Sequence, residues 1–246
     1  MLGIIGGTGL DRLDLIENRK KVADDTPWGN PSAGLVTGRI GATDIAFLPR
    51  HGHDHAVPPH EINYRANLRA LADTGVSRIV AVAAVGGIAA EPEPGGIAVP
   101  DQLIDYTWGR PSTFHEGPGS DVEHIDFTHP YSELVRQQIL DAAHEAGMAA
   151  VDGGCYAATQ GPRLETAAEI RRLERDGCTI VGMTGMPEAA LARELGIDYA
   201  CLAVVVNPAA GKAPGEISLD DIRRKLDEGM ARVGRILQAL CGVAPA

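Results

Sequence analysis

The sequence predicts one α/β domain, with a mixed or parallel central sheet covered by helices on both faces. Three observations carry this. Short apolar runs of strand length alternate with amphipathic stretches of helical spacing. Glycine and proline, 30 and 16 residues, are spread along the chain rather than gathered into a linker. No internal repeat or low-complexity segment divides the 246 residues, and one domain over 1–246 fits a length that can bury a substantial core.

Taken in order, Leu2–Ile5, Ile45–Leu48, Ile79–Val85, Thr179–Met183 and Tyr199–Val206 read as buried strands, because each is a continuous apolar run too short for a helix. Helical spacing runs from about Tyr64 to Ala72, through Val135, Ile139, Ala142 and Ala146, and from Glu165 to Arg175. The clearest helix is the last. Ile222, Leu226, Met230, Val233, Leu237 and Leu240 recur at three and four residues, Ser218 precedes them as an N-cap, and Asp220 and Asp221 suit the first turn. The polar stretch from Tyr106 to Phe127, bearing Gly, Pro and His, reads as a long functional loop or an interface segment.

Charge and composition exclude several classes. Against 33 Asp+Glu stand 22 Lys+Arg, a formal charge of −11 with no basic cluster, which disfavours a nucleic-acid partner. An aromatic content of 4% removes the stacking platforms of single-strand binders. No segment approaches the ~20 apolar residues of a membrane span. The N-terminus lacks a positively charged signal-peptide region. Cys155, Cys178, Cys201 and Cys241 stand singly in or beside apolar runs, and so are expected as reduced core cysteines in a cytoplasmic protein.

Chemistry is concentrated in six runs. In Leu2–Leu10, LGIIGGTGL, a strand runs into a glycine turn whose N–H groups and Thr8 hydroxyl could meet an anion; it is equally a tight turn. Its glycine spacing matches neither the dinucleotide fingerprint nor the P-loop. In Pro49–His55, PRHGHDH, Arg50 and His51 could grip phosphate. The same run offers a metallo-hydrolase alternative, although H-x-H-D-H is one residue short of the H-x-H-x-D-H run of metallo-β-lactamase-like enzymes. His53 and His55 could instead be merely solvated. Ala81–Ile88, AVAAVGGI, is a packed strand or a second approach to the same ligand. In Gln160–Thr166, QGPRLET, Glu165 by itself reads as a favourable first-turn acid. Gly182–Glu188, GMTGMPE, ends a strand and starts a helix at which Pro187 suits the first turn and Thr184 offers a hydroxyl and an amide to phosphate. Asn207, ending Ala203–Pro208, is a turn former or a ligand reader, and local sequence favours the turn. Strand ends with small or basic residues favour one shared anion site.

Taken together and in order, GIIGGTGL, RHG, NYRAN, AAVGGI, QGPRLET, GMTGMPEAALARE and the Asn-ended strand resemble the trimeric purine nucleoside phosphorylase and methylthioadenosine phosphorylase family over essentially the whole chain. The resemblance implies the single-domain nucleoside phosphorylase fold, a mixed central sheet flanked by helices. It also implies a homotrimer that cleaves a purine nucleoside with inorganic phosphate and needs no metal or organic cofactor.

Carried over, the phosphate site is Thr8, Arg50, His51, the backbone N–H of Ala84, and Thr184; Met183 lies under the ribose. Two departures stand out. Ala83 replaces a Thr or Asn frequent in the family, and Leu164 replaces a Phe against sugar and base. Glu165 and Asn207 fall at the base-reading positions, where adenosine-type members carry Ser and Asp. An ionised carboxylate only accepts hydrogen bonds, so Glu165 suits the N1–H of a 6-oxopurine, and Asn207 can donate to N7 or O6. Leu219 falls where inosine and guanosine members place a His for the 5′-hydroxyl, which suggests a 5′-methylthio pocket. His124 matches a His that reaches the neighbouring subunit's 5′ pocket. The expected reaction is phosphorolysis of S-methyl-5′-thioinosine to hypoxanthine and 5-methylthioribose 1-phosphate, with Asn207, Glu165 and His51 catalytic. Broad 6-oxopurine phosphorolysis is the first alternative and methylthioadenosine phosphorolysis the second.

Overall fold

Two strands form the spine of the sheet. β5 (Arg78–Gly87) and β11 (Asp198–Pro208) pair in parallel from Arg78↔Asp198 onward. Both are apolar on both faces, as a parallel strand under helices must be. β1 (Leu2–Gly6) pairs in parallel with the first half of β5 and with β4 (Thr43–Pro49). Antiparallel β3 (Val36–Ile40) and β2 (Glu17–Lys21) extend this edge. Along the last residues of β5 the place of β1 is taken by antiparallel β10 (Ile180–Gly182), which leads to β9 (Cys155–Ala158) and β7 (Gln102–Asp105). Beyond β11 lie β6 (Ile97–Val99) and β8 (Ala150–Asp152). The computed structural model describes all residues except 11–12, 23–24, 118, 120, 216–217 and 244–246.

Alternation along β5 divides the core. Ile79, Ala81, Ala83 and Val85 face α1 (Tyr64–Asp73) and α4 (Gly185–Glu194), whereas Val80 and Val82 face α2 (Glu133–Glu145) and α5 (Leu219–Leu240). α3 (Ala167–Arg175) packs with Ile88, Ala157 and Val181 in a smaller cluster. The mixed sheet flanked by helices is therefore the expected α/β architecture, and each of the five apolar runs lies on a strand. α5 starts as its sequence predicts, with the Ser218 side chain accepting from the Asp221 N–H at 3.3 Å.

One expectation shifts, one is refined and one strand is new. α3 begins at Ala167 rather than Glu165, because Thr166 and Glu169 close a reciprocal capping box around the first turn. Glu165 thus precedes the helix, and Glu169 is its first-turn acid. In α4, Met186 is extended (φ −122°, ψ 142°), so regular helix follows it. β2 was not foreseen: ENRKK has no apolar residue and is exposed throughout, a charged edge strand of the kind that discourages further pairing. The polar stretch from Tyr106 to Phe127 carries neither helix nor strand among its described residues.

α5 crosses β11 at a glycine. A Cβ on Gly229 would stand 2.2 Å from Val204 Cγ1. Gly229→Ala therefore has to push helix and sheet apart, at about 1–3 kcal/mol. Thermal unfolding is expected roughly 3–10 °C lower than wild type; an unchanged midpoint would show that this crossing is slack.

Candidate active site

Between the end of β1, paired to β5 as far as Ala81, and the start of β10, paired from Gly86, one edge of β5 has no neighbouring strand among the described residues. A cavity of about 430 Å³ opens at this gap. Gly7 and Thr8 line it from the end of β1, Arg50 and His51 from the end of β4, and Ala83 to Gly86 from β5 itself. Pro162, Leu164 and Glu165 come from the loop before α3, Val181 to Thr184 from the end of β10, Val206 and Asn207 from β11, and Ile222 from α5. Ligands of open α/β sheets occupy such strand ends.

Arg50 is 1% exposed and Glu188, from α4, 0%. Arg50 Nε and Nη2 each donate to one Glu188 oxygen at 2.7 Å, a bidentate pair, and Nη1 donates to Val82 O at 2.8 Å. Tyr199 Oη donates to Glu188 Oε1 at 2.8 Å. Burial disfavours the guanidinium charge, but the charge and hydrogen bonds of Glu188 outweigh it and hold the Arg50 pKa above its ordinary value. Close approach is possible because Gly7 has no side chain: a Cβ there would lie 2.5 Å from Val82 O and 3.0 Å from Arg50 Nη1.

His51 is also buried, and its Nδ1 is 2.9 Å from Val57 O. Burial, and then the neighbouring Arg50 charge, lower its pKa to about 3. It is neutral near pH 7, so Nδ1–H donates to Val57 and Nε2 keeps a lone pair. This corrects the picture of a doubly basic Arg50–His51 clamp: only Arg50 is a cation. In the unfolded chain the imidazole protonates near 6.5, so burying neutral His51 carries no penalty above that pH, and its contribution to native stability is full there. It falls as pH drops from there towards 3.

Glu165 also lines the cavity, and its Oε1 accepts from Thr159 Oγ1 at 2.6 Å. Asn207 sits where the β11–β5 register shifts between Val205 and Asn207. That bulge lets both Val206 and Asn207 line the cavity, so Asn207 is a strand residue re-aimed by irregularity and not a turn former. Its Nδ2 donates to Pro208 O at 2.6 Å, which leaves one N–H and the amide oxygen. Met183 is half-buried and Leu164 is 45% exposed at the mouth. The Thr184 side chain is buried, while its backbone N–H points to Tyr156 Oη at 3.4 Å, so the hydroxyl is the group it has left to offer.

The cavity does not collect every expected residue. Leu219 is 64% exposed and lies outside it; Ile222, three residues further on α5, supplies the apolar wall. His124 is exposed on the segment between β7 and α2, away from this cavity. His53 and Asp54 are exposed, and among the described residues no three His, Cys, Asp or Glu side chains are arranged to hold a metal ion. All four cysteines are free thiols. Sequence reasoning missed Glu188, Tyr199, Thr159 and Ile222. For Glu188 a signal existed: it is the one charged residue among the apolar positions opening α4, and a carboxylate there needs a buried cation.

The family model of the phosphorylase superfamily matches residues 1–241. The chain is 50% identical, over 97% of its length and 96% of the relative, to the probable S-methyl-5′-thioinosine phosphorylase of Xanthomonas campestris pv. campestris. It is 39% identical to the 6-oxopurine nucleoside phosphorylase of Pyrococcus furiosus over 99% of this chain and 93% of that one. Methylthioadenosine phosphorylase from Schistosoma mansoni, solved with adenine, superposes with a TM-score of 0.92 at 33% identity, covering 98% of this chain and 90% of that structure. On fold and sequence alike, the chain belongs to the phosphorylase superfamily.

Proposed function

We propose that the protein phosphorolyses S-methyl-5′-thioinosine, releasing hypoxanthine and 5-methylthioribose 1-phosphate. The observation that carries this reading is the pairing of two unlike ends in one cavity. A buried guanidinium with hydroxyls and an unpaired strand edge lies at one end, and a carboxylate with an amide at the other. The relatives named for methylthioinosine and 6-oxopurine nucleosides support it.

Phosphate occupies the gap beside β5. Arg50, the hydroxyls of Thr8 and Thr184, and the Ala84 N–H donate to it, and neutral His51 accepts from a phosphate O–H. The ribose lies over Met183. A phosphate oxygen bonds to C1′ as the C1′–N9 bond breaks, and the electron pair leaves with the purine. Asn207 donates to N7 or O6 and Glu165 accepts from N1–H, so both stabilise the base as it gains negative charge. Adenine presents a lone pair at N1, which the Glu165 carboxylate repels. Ile222 gives the 5′ side an apolar wall. His124 reaches that side from a neighbouring subunit of a homotrimer, in a cytoplasmic enzyme with phosphate as co-substrate and no cofactor. Broad 6-oxopurine phosphorolysis is the second reading, favoured by the exposure of Leu219.

Two outcomes follow. With phosphate, kcat/KM for methylthioinosine should exceed that for methylthioadenosine by ~10²-fold or more, and that for inosine by about 10-fold. Glu165→Ser with Asn207→Asp should shift the preference towards adenine. Equal use of methylthioadenosine by the wild type would overturn the Glu165/Asn207 assignment; equal use of inosine would favour the second reading. Separately, Glu188→Gln strips the Arg50 charge of its partner at about 3–5 kcal/mol. The unfolding midpoint should drop by roughly 10 °C, and a midpoint within the error of wild type would refute the role given to the pair.

A further inference from the structure

Glu165 lies on a wall shared by two cavities. One is the candidate active site; the other, behind the loop before α3, is lined by Thr159, Trp108, Arg163 and Glu169. A glutamate there has a choice of direction, and Arg163 raises the attraction of the wrong one: the guanidinium already grips Glu169 and lies within electrostatic reach of Glu165. What fixes the carboxylate is Thr159, itself on the wall of the second cavity. Its N–H donates to Gly182 O at 2.8 Å, continuing the parallel β9–β10 pairing by one residue. Its hydroxyl is 2.6 Å from Glu165 Oε1 and 3.3 Å from Gly182 O. One proton cannot serve both fully, and the shorter, charge-assisted bond to the carboxylate takes it.

Thr159 is itself held by Arg110, a buried cation (9% exposed) whose hydrogen-bond partners among the described residues are all neutral. Nη2 donates to the carbonyls of Gln160 at 2.8 Å and Thr159 at 3.3 Å, and Nη1 to those of Met183 at 2.9 Å and Met186 at 2.6 Å. One guanidinium therefore fixes the loop that carries Glu165 against the turn that carries Met183 and Thr184. A charge buried this way costs stability and needs a return elsewhere.

We propose that Thr159, clamped by Arg110, is the positioning residue that sets base selectivity: its hydroxyl holds Glu165 Oε1 on the wall the two cavities share, so that Oε2 is fixed to accept from the N1–H of a 6-oxopurine. The proposal rests on the phosphorolysis reading above. Fixing an otherwise mobile side chain before the ligand arrives removes an ordering cost from binding.

The test compares Thr159→Val, which keeps the shape and loses the hydroxyl, with Thr159→Ser, which keeps the hydroxyl. Both are assayed with methylthioinosine, methylthioadenosine and phosphate, with calorimetric binding of hypoxanthine as a second readout. In Thr159→Val, kcat/KM for methylthioinosine should fall by about 10- to 100-fold, the loss of one hydrogen bond to a charged group. The phosphate KM should stay within about twofold, the methylthioinosine-to-methylthioadenosine ratio should narrow, and hypoxanthine binding should weaken by a factor similar to the kcat/KM loss. Thr159→Ser should recover most of both. Arg110→Lys should follow Thr159→Val in narrowing the ratio. An active wild type whose Val variant keeps its ratio, or whose Ser variant fails as the Val variant does, overturns the proposal alone. A wild type that neither cleaves these nucleosides nor binds hypoxanthine overturns the phosphorolysis reading and the proposal with it.

Discussion

The buried pair of Arg50 and Glu188 is the constraint around which the cavity is arranged. The Arg50 guanidinium, 1% exposed, is matched by a carboxylate in bidentate contact, and that carboxylate takes a further hydrogen bond from Tyr199. The pair joins the end of β4 to α4, and the third bond of Arg50, to Val82 O, reaches β5. Two strands of the sheet and a helix packed on it are thereby fixed relative to each other. The glycine at 7 follows from the same constraint, since any side chain would collide with the strand carbonyl that Arg50 uses. Three of the five guanidinium N–H groups are spent on this framework, which leaves two at the cavity wall for a ligand.

Around this anchor, departures from regular structure create the site. β5 exchanges one neighbour for another between Ala81 and Gly86, so that strand edge faces the cavity instead of a partner. β11 carries an extra residue at Val206, which turns Asn207 inwards. α4 begins with an extended Met186, and α3 begins two residues later than its periodicity indicates, leaving Glu165 in the preceding loop. Each irregularity places a polar group where regular pairing would have consumed or averted it. The net charge of −11 therefore says little about the site: its one fixed cation is screened from solvent and the adjoining His51 is neutral.

What the sequence made legible follows from the range of the interactions involved. The five apolar strands, the long C-terminal helix and its Ser218 cap are local patterns, and all are found. β6 and β8 have three residues each, too few for periodicity, and β2 has no apolar residue; these strands exist because a neighbour pairs with them. Thr8, Arg50, His51, Ala84, Met183, Thr184, Glu165 and Asn207 do line one cavity, because each ends a strand or enters a helix in a recognisable motif. Leu219 and Ile222 show the limit: helix phase and the entry angle of α5, not local sequence, decide which one faces inwards. Glu188 and Arg110 escaped because their partners lie far away in the chain, 138 residues in the case of Arg50 and Glu188, whereas Thr159 is only six residues from Glu165 and escaped because the loop conformation, not a local pattern, brings the two together.

In the proposed reaction, Arg50 forms the anion end of one cavity and Glu165 with Asn207 its base end. A crystal structure of the protein with both inorganic phosphate and hypoxanthine bound tests that division most directly. It should show phosphate within hydrogen-bond distance of Arg50 and the hydroxyls of Thr8 and Thr184, with hypoxanthine N1 facing Glu165 and its N7/O6 edge facing Asn207. Phosphate bound elsewhere, or a base whose N1 faces away from Glu165, would contradict it.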